Sequence, residues 1–570
     1  MLEFKNINEV DEKINKYKNI TNIISVIRFI ISITTIIFFI VTLTVSNYLI
    51  YLIISISLFI IDLIFIISTN KYYKYLHHYK NKKIIYEIHQ KRRDLKLETF
   101  FDNGLEFKSK NKYFESDLDI FGKHSLYQYL SSAKTKYGKE FLAKMLTEPE
   151  DLGPKFTNLI DHFAKDEKTI DIEAALLDFK DTKGIDYDSL ISVSNNKISL
   201  NPLMLLPLLS FIGTIIYFIL IFTLKLNPVF IIFFLISNFF FSMLFLKNNI
   251  FDLDSSLYHR TCESYDNLCK EITNTNLEDE YFNNLKEDIK KEIPTIKKLK
   301  HLYSVLSFRK NTVVYFIADT LFSMDFFIIM FYNIKTKKVS KILDLFKDVA
   351  IIEGAISFSN IGIDNEVYCK GEDDDKIIAN DLYHPLVKNC VPNDIEFKNG
   401  IILTGSNMSG KTTFMRTLGI AQILKNAGGL IPARKYCAPK LRLLTSLRAN
   451  DMLSEGISTF YAEILRMKEM MSYYKEEKCL ILVDEIFKGT NTLSRIKASE
   501  EVILKFENSN CFYIISTHDF ELCDIKGIRN CHFNEYYEND KILFDYKIKE
   551  GKCETSNAIY LLKMSGIIDE

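Results

Sequence analysis

The sequence has no excess of charge of either sign. Its 72 Lys and Arg residues face 73 Asp and Glu, for a formal net charge of −1. That balance excludes the global basic field of many nucleic-acid binders and leaves only a local patch open. Cysteine is scarce and one-sided: none of the ten precedes Cys262, and no two are spaced as Cys-x-x-Cys. This argues against a zinc site and for a reduced, cytoplasmic setting of the segments that hold them. Apolar residues are plentiful but uneven. Hydrophobic side chains make up 48% of the 570 residues against 25% charged, and they collect in blocks. Such blocks mark a membrane protein with soluble parts, and the length calls for several domains.

The first block runs from Asn22 to Val45 and, after Ser46 to Tyr48, resumes from Leu49 to Thr69. Each run is about long enough to cross a bilayer as a helix. No small-residue cleavage site separates them, so a transmembrane hairpin is expected rather than a signal peptide. A second hairpin is read from Leu203 to Leu224 and Pro228 to Leu246, around a turn at Lys225 to Asn227. Between Lys71 and Lys96 stand nine Lys or Arg and two acidic residues, whereas the outer turns carry only Lys225. Basic flanks stay inside, so both ends of each hairpin are expected in the cytoplasm, giving four spans; anionic lipid or DNA is the other use of that basic stretch. A fifth apolar run, Val313 to Tyr332, contains Asp319 and Asp325. Each would cost about 2.5–3.5 kcal/mol at a bilayer centre, so the run is read as a buried helix of the soluble core. Arg28 and Asp62 lie at comparable depth in the first hairpin and an ion pair is conceivable, but separate snorkelling is the expected arrangement.

The chemistry begins at "GSNMSGKT", Gly405 to Thr412, which fits GxxxxGK[ST]. An apolar strand, "GIILT", precedes it, and a helical stretch ending at Gly428 and Gly429 follows. Backbone N–H groups of Gly405, Ser406, Asn407, Met408, Ser409, Gly410 and the residues through Thr413 are thus placed to cradle phosphates. Lys411 should neutralise the β- and γ-phosphates of ATP, and Thr412 should ligate Mg²⁺. About seventy residues later, "KCLILVDEIFKGTNT" ends an apolar strand in two carboxylates. Asp484 is placed to hold Mg²⁺ and Glu485 to orient or deprotonate the attacking water. A third strand, "CFYIIST", leads into His518, expected beside the γ-phosphate at the carboxyl edge of the same sheet.

Together these elements resemble the MutS family of DNA mismatch repair ATPases. Asn407-Met408 in the phosphate loop, "GISTFYAEI" (Gly456 to Ile464), "DEIFKGTN" and "STHDFEL" (Ser516 to Leu522) carry the resemblance, with "HPLV" and "VPND" upstream. It is specific over roughly Leu382 to Ile567 and weaker over Gly122 to Glu150 and the helices after residue 250. The resemblance implies a homodimer in which Ser458 contacts the partner's γ-phosphate, His532 packs on adenine, and a helical clamp binds DNA. Cys390 stands in place of the family's opposing aromatic, and Lys488 and Asn491 where Arg and Ser are usual. The family's mismatch reader wedges a Phe with a Glu two residues on; here a membrane hairpin fills that space. The only Phe-x-Glu string, Phe533-Asn534-Glu535, falls in the nucleotide domain, where sheet or loop is its simplest reading.

The expected architecture is an α/β P-loop ATPase domain of ABC-like, MutS type, joined to an all-α lever and clamp, with two transmembrane hairpins. Boundaries are placed at 1–70 (first hairpin), 71–200 (helical core), 201–247 (second hairpin), 248–345 (lever and clamp) and 346–570 (ATPase). The expected function is Mg²⁺-dependent ATP hydrolysis by a multi-pass membrane protein whose termini and ATPase domain are cytoplasmic. DNA repair or recombination is the setting the family implies. The rival reading is an ATP-driven membrane-remodelling or partner-binding module that does not touch DNA. Lysines at the tips of the helices between residues 250 and 310 would discriminate; "KEDIKKEIPTIKKLKH" (Lys286 to His301) mixes them with acids, as an exposed helical face also would.

Overall fold

The computed structural model describes residues 7–42, 44–45, 48–100, 102–109, 112–181, 205–243, 255–308, single positions between 315 and 331, and then 342–406, 408–448, 459–473, 477–487, 491–538 and 541–553. The chain forms two compact units, Met1–Ile170 with Glu353–Glu570, and Asp171–Ile352. These limits differ from the sequence boundaries near 200 and 345, because long-range contacts join the amino-terminal helices to the carboxyl-terminal domain.

The first unit opens with two long helices, α1 (Ile7–Thr42) and α2 (Tyr48–Arg93). Both are long and apolar enough to cross a membrane, and their apolar side chains are largely exposed. Exposed hydrophobic faces of this extent need a partner other than water. Within the hairpin Arg28 Nε lies 3.5 Å from Asp62 Oδ1, and Ser32 Oγ donates to Asp62 Oδ2 at 3.3 Å. The two charges therefore meet rather than snorkelling apart. Beyond the apolar part the helices continue together, with Tyr17 stacked on Tyr75 and Tyr79 and Lys83 paired with Asp11 at 2.7 Å.

Short helices follow: α3 (Tyr113–Asp117), α4 (Leu126–Leu130), α5 (Lys136–Thr147), α6 (Gly153–Lys165) and α7 (Thr169–Leu176). In the second unit stand α8 (Leu205–Leu224), α9 (Ile231–Met243), α10 (Ser255–Asn274) and α11 (Glu280–Phe308); α12 (Ile342–Asp364) precedes the nucleotide domain.

Two buried charge sites tie the first unit together. At the end of α2, His89 Nδ1 and Arg92 Nη1 each lie 3.0 Å from Asp364 Oδ2, and Arg93 Nε lies 3.2 Å from Oδ1. Burial alone would push the Asp364 carboxyl up. The His89 and Arg92 charges outweigh it and hold it below the usual carboxylate range. Farther back on α12, Glu353 accepts from Thr135 Oγ1 at 2.9 Å and from Thr135 N at 3.4 Å. Its burial dominates, and the carboxyl is pushed up to about 7. Between its ordinary value of 4.5 and about 7 the unfolded chain releases this proton before the folded one does, so stability falls as pH rises across that window. Glu353→Gln, which mimics the protonated acid, should therefore melt above the wild type at pH 8 and lose that advantage below pH 4.5. A difference in melting temperature that does not vary with pH would contradict this account.

In the second unit α8 and α9 form an apolar hairpin closed by Asn227, whose side chain caps the turn at Val229 N. Its continuous apolar stretches are Leu208–Ile221 and Pro228–Phe240, shorter than those of the first hairpin. Among the described residues only α1 and α2 reach spanning length, so the expected four spans stand on composition for the second pair. Ser210 bonds Ser237, and Asn238 Nδ2 bonds Thr214 Oγ1 at 3.2 Å and Thr320 O at 3.1 Å. Phe211 meets Phe327 edge to face at 5.6 Å. The described positions of the Val313 to Tyr332 run are helical, and Asp319 is buried. At these described positions the run meets the apolar hairpin, where Thr320 O gives the buried Asn238 amide an acceptor. Asp325 lies outside the described residues.

The pair α10 and α11 buries Ile289, Ile296, Leu299, Leu302 and Tyr303 on one face, with Tyr303 stacked on Tyr258 at 5.2 Å. On the outer face Lys290 pairs with Glu287 and Lys291 with Asp288, both one turn away on the same helix. At these two positions the charge is balanced locally, as on a solvated helical face.

The nucleotide domain holds two sheets. The smaller is built of β1 (Cys369–Glu372), β2 (Ile377–Leu382), β3 (Asn393–Phe397), β5 (Leu430–Ile431) and β6 (Lys435–Cys437), in the order β3-β2-β6-β1-β5. The larger has the order β11-β10-β4-β9-β8-β7, from β4 (Gly400–Gly405), β7 (Arg442–Ser446), β8 (Cys479–Asp484), β9 (Phe512–Ser516), β10 (Arg529–Glu538) and β11 (Lys541–Glu550). All its pairings are parallel except β10 with β11. Strands β4, β8 and β9 are near-continuous apolar runs, as a sheet covered on both faces requires. Helices α13 (Lys411–Asn426), α14 (Thr459–Tyr473) and α15 (Thr492–Glu507) supply crossovers. Asp117, fully buried at the end of α3, accepts from Thr445 Oγ1 at 2.7 Å and Leu447 N at 3.0 Å, docking the helical segment on the end of β7.

Candidate nucleotide site

In an open parallel sheet the ligand crevice lies beyond the carboxyl ends of the strands. Here β4, β9 and β8 are neighbours, and their carboxyl ends carry the phosphate loop, Thr517-His518 and Asp484-Glu485 respectively. Motifs about seventy and a hundred residues apart are thereby brought side by side by strand order alone.

The loop turns on two glycines. Gly405 has φ 142°, and a Cβ there would stand 2.6 Å from the Phe533 carbonyl oxygen; Gly410, at φ 109°, opens α13. Ser409 Oγ donates to Ser406 O at 2.8 Å and closes the turn. Lys411 Nζ donates to Gly405 O at 2.6 Å and Ser406 O at 2.9 Å, so the loop carbonyls hold the ammonium across the loop mouth. Burial draws Lys411 below its usual range, opposed chiefly by the charges of Asp484 and Glu485. Met408, at φ 71° and 85% exposed, stands at the rim. Asn407 lies outside the described residues.

Thr412 Oγ1 donates to Asp484 Oδ2 at 2.7 Å, and Ser516 Oγ donates to Asp484 Oδ1. One hydroxyl and one carboxylate in contact, at the mouth of a phosphate loop, fit Mg²⁺, which takes few protein oxygens and completes its shell with water and phosphate. Glu485 continues past β8 with φ 57°, its N–H donating to Ser516 O at 3.1 Å. Glu485 Oε1 then lies 3.0 Å from His518 Nε2. A left-handed glutamate is a strained conformation of the kind that collects at functional sites. Arg495 grips Asp519 with two hydrogen bonds of 2.7 and 2.6 Å, fixing the turn that presents His518.

A cavity of about 610 Å³ opens over this group, within the usual ~300–1,000 Å³ of small-molecule sites. Gly410, Lys411, Thr412, Thr413, Asp484 and Glu485 border it on the polar side. Leu382, Val387, Cys390, Phe533 and Tyr546 border it on the apolar side. Cys390 is held there by the His384 N–H, which donates to its Sγ at 3.3 Å; burial pushes the His384 imidazole down to about 4.

His532 is not on this wall. It precedes Phe533 on β10, so the alternation of the strand turns it to the other face, where Nδ1 lies 2.9 Å from Gly551 O. Of the aromatic side chains that border the cavity, Phe414 and Phe533 are buried and Tyr546, 45% exposed, is the accessible one. Opposite the single residue Asn534, β11 carries Asp545, Tyr546 and Lys547, and in this bulge Tyr546 takes φ 52°. Its ring edge is so close to the phosphate loop that a Cβ on Gly410 would lie 3.2 Å from it. Asn393 staples the bulge, donating to Tyr546 O at 2.9 Å and accepting from Ile548 N at 2.8 Å. Nothing in the local sequence marks Tyr546, because the register shift that aims it depends on pairing across the hairpin.

Ser458 and Lys488 lie outside the described residues. Asn491 caps α15, its Oδ1 accepting from Ser494 N at 2.9 Å. The Phe533-Asn534-Glu535 string lies within β10, as sheet.

A parallel sheet with a phosphate loop on one strand and a carboxylate pair two strands away defines the domain as a P-loop nucleotide-binding fold. Residues 401–570 match the family model MutS domain V. Among curated proteins, the DNA mismatch repair protein MutS of Leptospira interrogans is 33% identical over 215 residues, 35% of this chain and 25% of that protein. The MutS of Caldicellulosiruptor saccharolyticus is 32% identical over 269 residues, 42% of this chain and 30% of that protein. For Clostridioides difficile MutS the figures are 31% over 253 residues, 41% and 26%. The likeness to the MutS family is carried by this domain, and the chain spans about a quarter to a third of the length of those relatives.

Proposed function

We propose that this chain is a membrane-anchored, MutS-related ATPase that hydrolyses ATP with Mg²⁺ and acts as a homodimer. The observation that carries the reading is the convergence of Thr412 on Asp484 at 2.7 Å and of His518 on Glu485 at 3.0 Å, beside Lys411 and a cavity of nucleotide size. Lys411 and the loop N–H groups bind the phosphates, and Thr412 and Asp484 hold the metal, which supplies charge neutralisation at the phosphates. Glu485, oriented by His518, takes the proton of the attacking water. Tyr546, rather than His532, is the exposed ring available to a base, in a cavity that Cys390 also borders. Ser458 of a second chain completes the site, as the family resemblance implies.

Anchoring rests on the exposed apolar faces of α1 and α2, with the apolar α8 and α9 hairpin as a second pair and the basic flank of α2 on the cytoplasmic side. DNA is proposed as a partner because the relatives are named for mismatch repair; a role in DNA repair or recombination follows from the same likeness. The pairing of Lys290 and Lys291 with acids of α11 itself favours, as a second reading, arms that act on the membrane or a protein instead.

Turnover of the detergent-solubilised full chain, with and without duplex, mismatched and branched DNA, tests both. Mg²⁺-dependent hydrolysis that is lost in Lys411→Ala is expected, with any DNA stimulation steeply dependent on salt and blind to mismatches. Absence of nucleotide binding by the wild type would overturn the reading; turnover indifferent to every DNA would leave the ATPase and remove the DNA partner.

A further inference from the structure

One buried carboxylate beside the phosphate loop has no part in the chemistry above. Strand β10 runs parallel to β4 with Phe533 opposite Gly405, so Glu535, two residues on, stands where the loop begins. Ser406 Oγ donates to Glu535 Oε2 at 2.6 Å, and both residues are more than nine-tenths buried. The other oxygen, Oε1, is shielded from solvent and has no hydrogen-bond partner among the described residues. Glu535 does not border the cavity; it backs the loop from behind. A carboxylate left half-satisfied in the interior is unfavourable for stability, which calls for a reason in function.

The reason is electrostatic. A phosphate loop attracts anions through converging N–H groups and one ammonium. A carboxylate behind it opposes that field, and burial leaves the opposition poorly screened. Glu535 is close enough for its charge to act on Lys411, together with Asp484 and Glu485. Those two face metal and water when nucleotide is bound, whereas Glu535 faces only the loop. The penalty it imposes scales with the charge of the phosphates, so a triphosphate meets more of it than a diphosphate.

We propose that Glu535 is a positioning residue of the nucleotide site, which fixes Ser406 through one oxygen and through its charge weakens the binding of ATP more than that of ADP. This rests on the nucleotide reading of the same site. The hairpin of β10 and β11 then acts on the loop at both ends, with Glu535 behind Ser406 and Tyr546 beside Gly410.

The test measures affinities of a non-hydrolysable ATP analogue and of ADP, with Mg²⁺, on the full chain in detergent. Glu535→Gln keeps an oxygen to accept from Ser406 and removes the charge. It should bind the ATP analogue about tenfold more tightly and gain clearly less for ADP. Glu535→Ala removes charge and hydrogen bond together and should show the same order of preference, so either variant decides the matter if the other melts below the wild type. Ser406→Ala keeps the charge and should not tighten binding. A merely structural Glu535 would shift both nucleotides alike, or neither, and either result overturns the proposal. Wild-type protein that binds neither nucleotide removes the nucleotide site and the proposal with it; normal wild-type binding with an unchanged ATP-to-ADP ratio in both Glu535 variants removes the proposal alone.

Discussion

Glu485→Gln should bind ATP and fail to turn it over. The side chain sits past the end of β8 in a left-handed turn, 3.0 Å from His518 Nε2, and shares no ligand duty with Asp484, whose oxygens face Thr412 and Ser516. The amide is the same size and leaves metal and phosphate contacts in place, but cannot take a proton from water. Loss of a positioned general base lowers turnover by about 10²–10⁴-fold. Single-turnover hydrolysis set beside nucleotide affinity checks this: affinity within about threefold of the wild type with kcat down at least a hundredfold is the expected pair. Unchanged kcat would move the role of base away from Glu485.

Replacing Asp364 should be among the most damaging changes to stability. The fully buried carboxylate holds His89, Arg92 and Arg93 within 3.2 Å, and Arg92 is itself only 1% exposed. Asp364→Asn leaves buried cationic groups without their counter-charge, and breaking a buried pair in this way destabilises by about 3–5 kcal/mol. The sign of the pH dependence follows from the lowered carboxyl. The contribution of the cluster is complete above the unfolded value of ~3.9 and is lost as pH falls through the lower folded value. Urea titrations of both proteins should thus show the full deficit at pH 7 and a shrinking one in acid. An equal deficit at both would mean that packing, not charge, holds this corner.

What could be read from the sequence was local. The phosphate loop, Asp484-Glu485 and Thr517-His518 each end an apolar strand, and a parallel sheet has only one edge at which such ends gather. Their mutual approach follows from strand order, without any knowledge of side-chain packing. Tyr546 was not legible, because its direction comes from a bulge in which three residues oppose one. His532 lies off the cavity for a related reason: it and Phe533 are neighbours in sequence and occupy opposite faces of the strand. The partners of Asp364 lie more than 270 positions away, on a helix whose apolar half suggested only an anchor. Glu353 and Thr135 are 218 apart, so the join between the amino-terminal helices and the nucleotide domain left no local signal.

Helix α2 runs without a break from its apolar stretch to the buried arginines that grip Asp364. From residue 70 to Arg93 it rises about 36 Å at ~1.5 Å per residue, with α1 packed along it. With the apolar part in a bilayer, the nucleotide domain would ride on a stiff post instead of a flexible leash, at a set height and with a restricted range of tilts. On the proposed anchoring, copies so mounted would diffuse in a plane with their sites at one level. Much of the orientational search that free subunits make before pairing would then be completed in advance by the membrane.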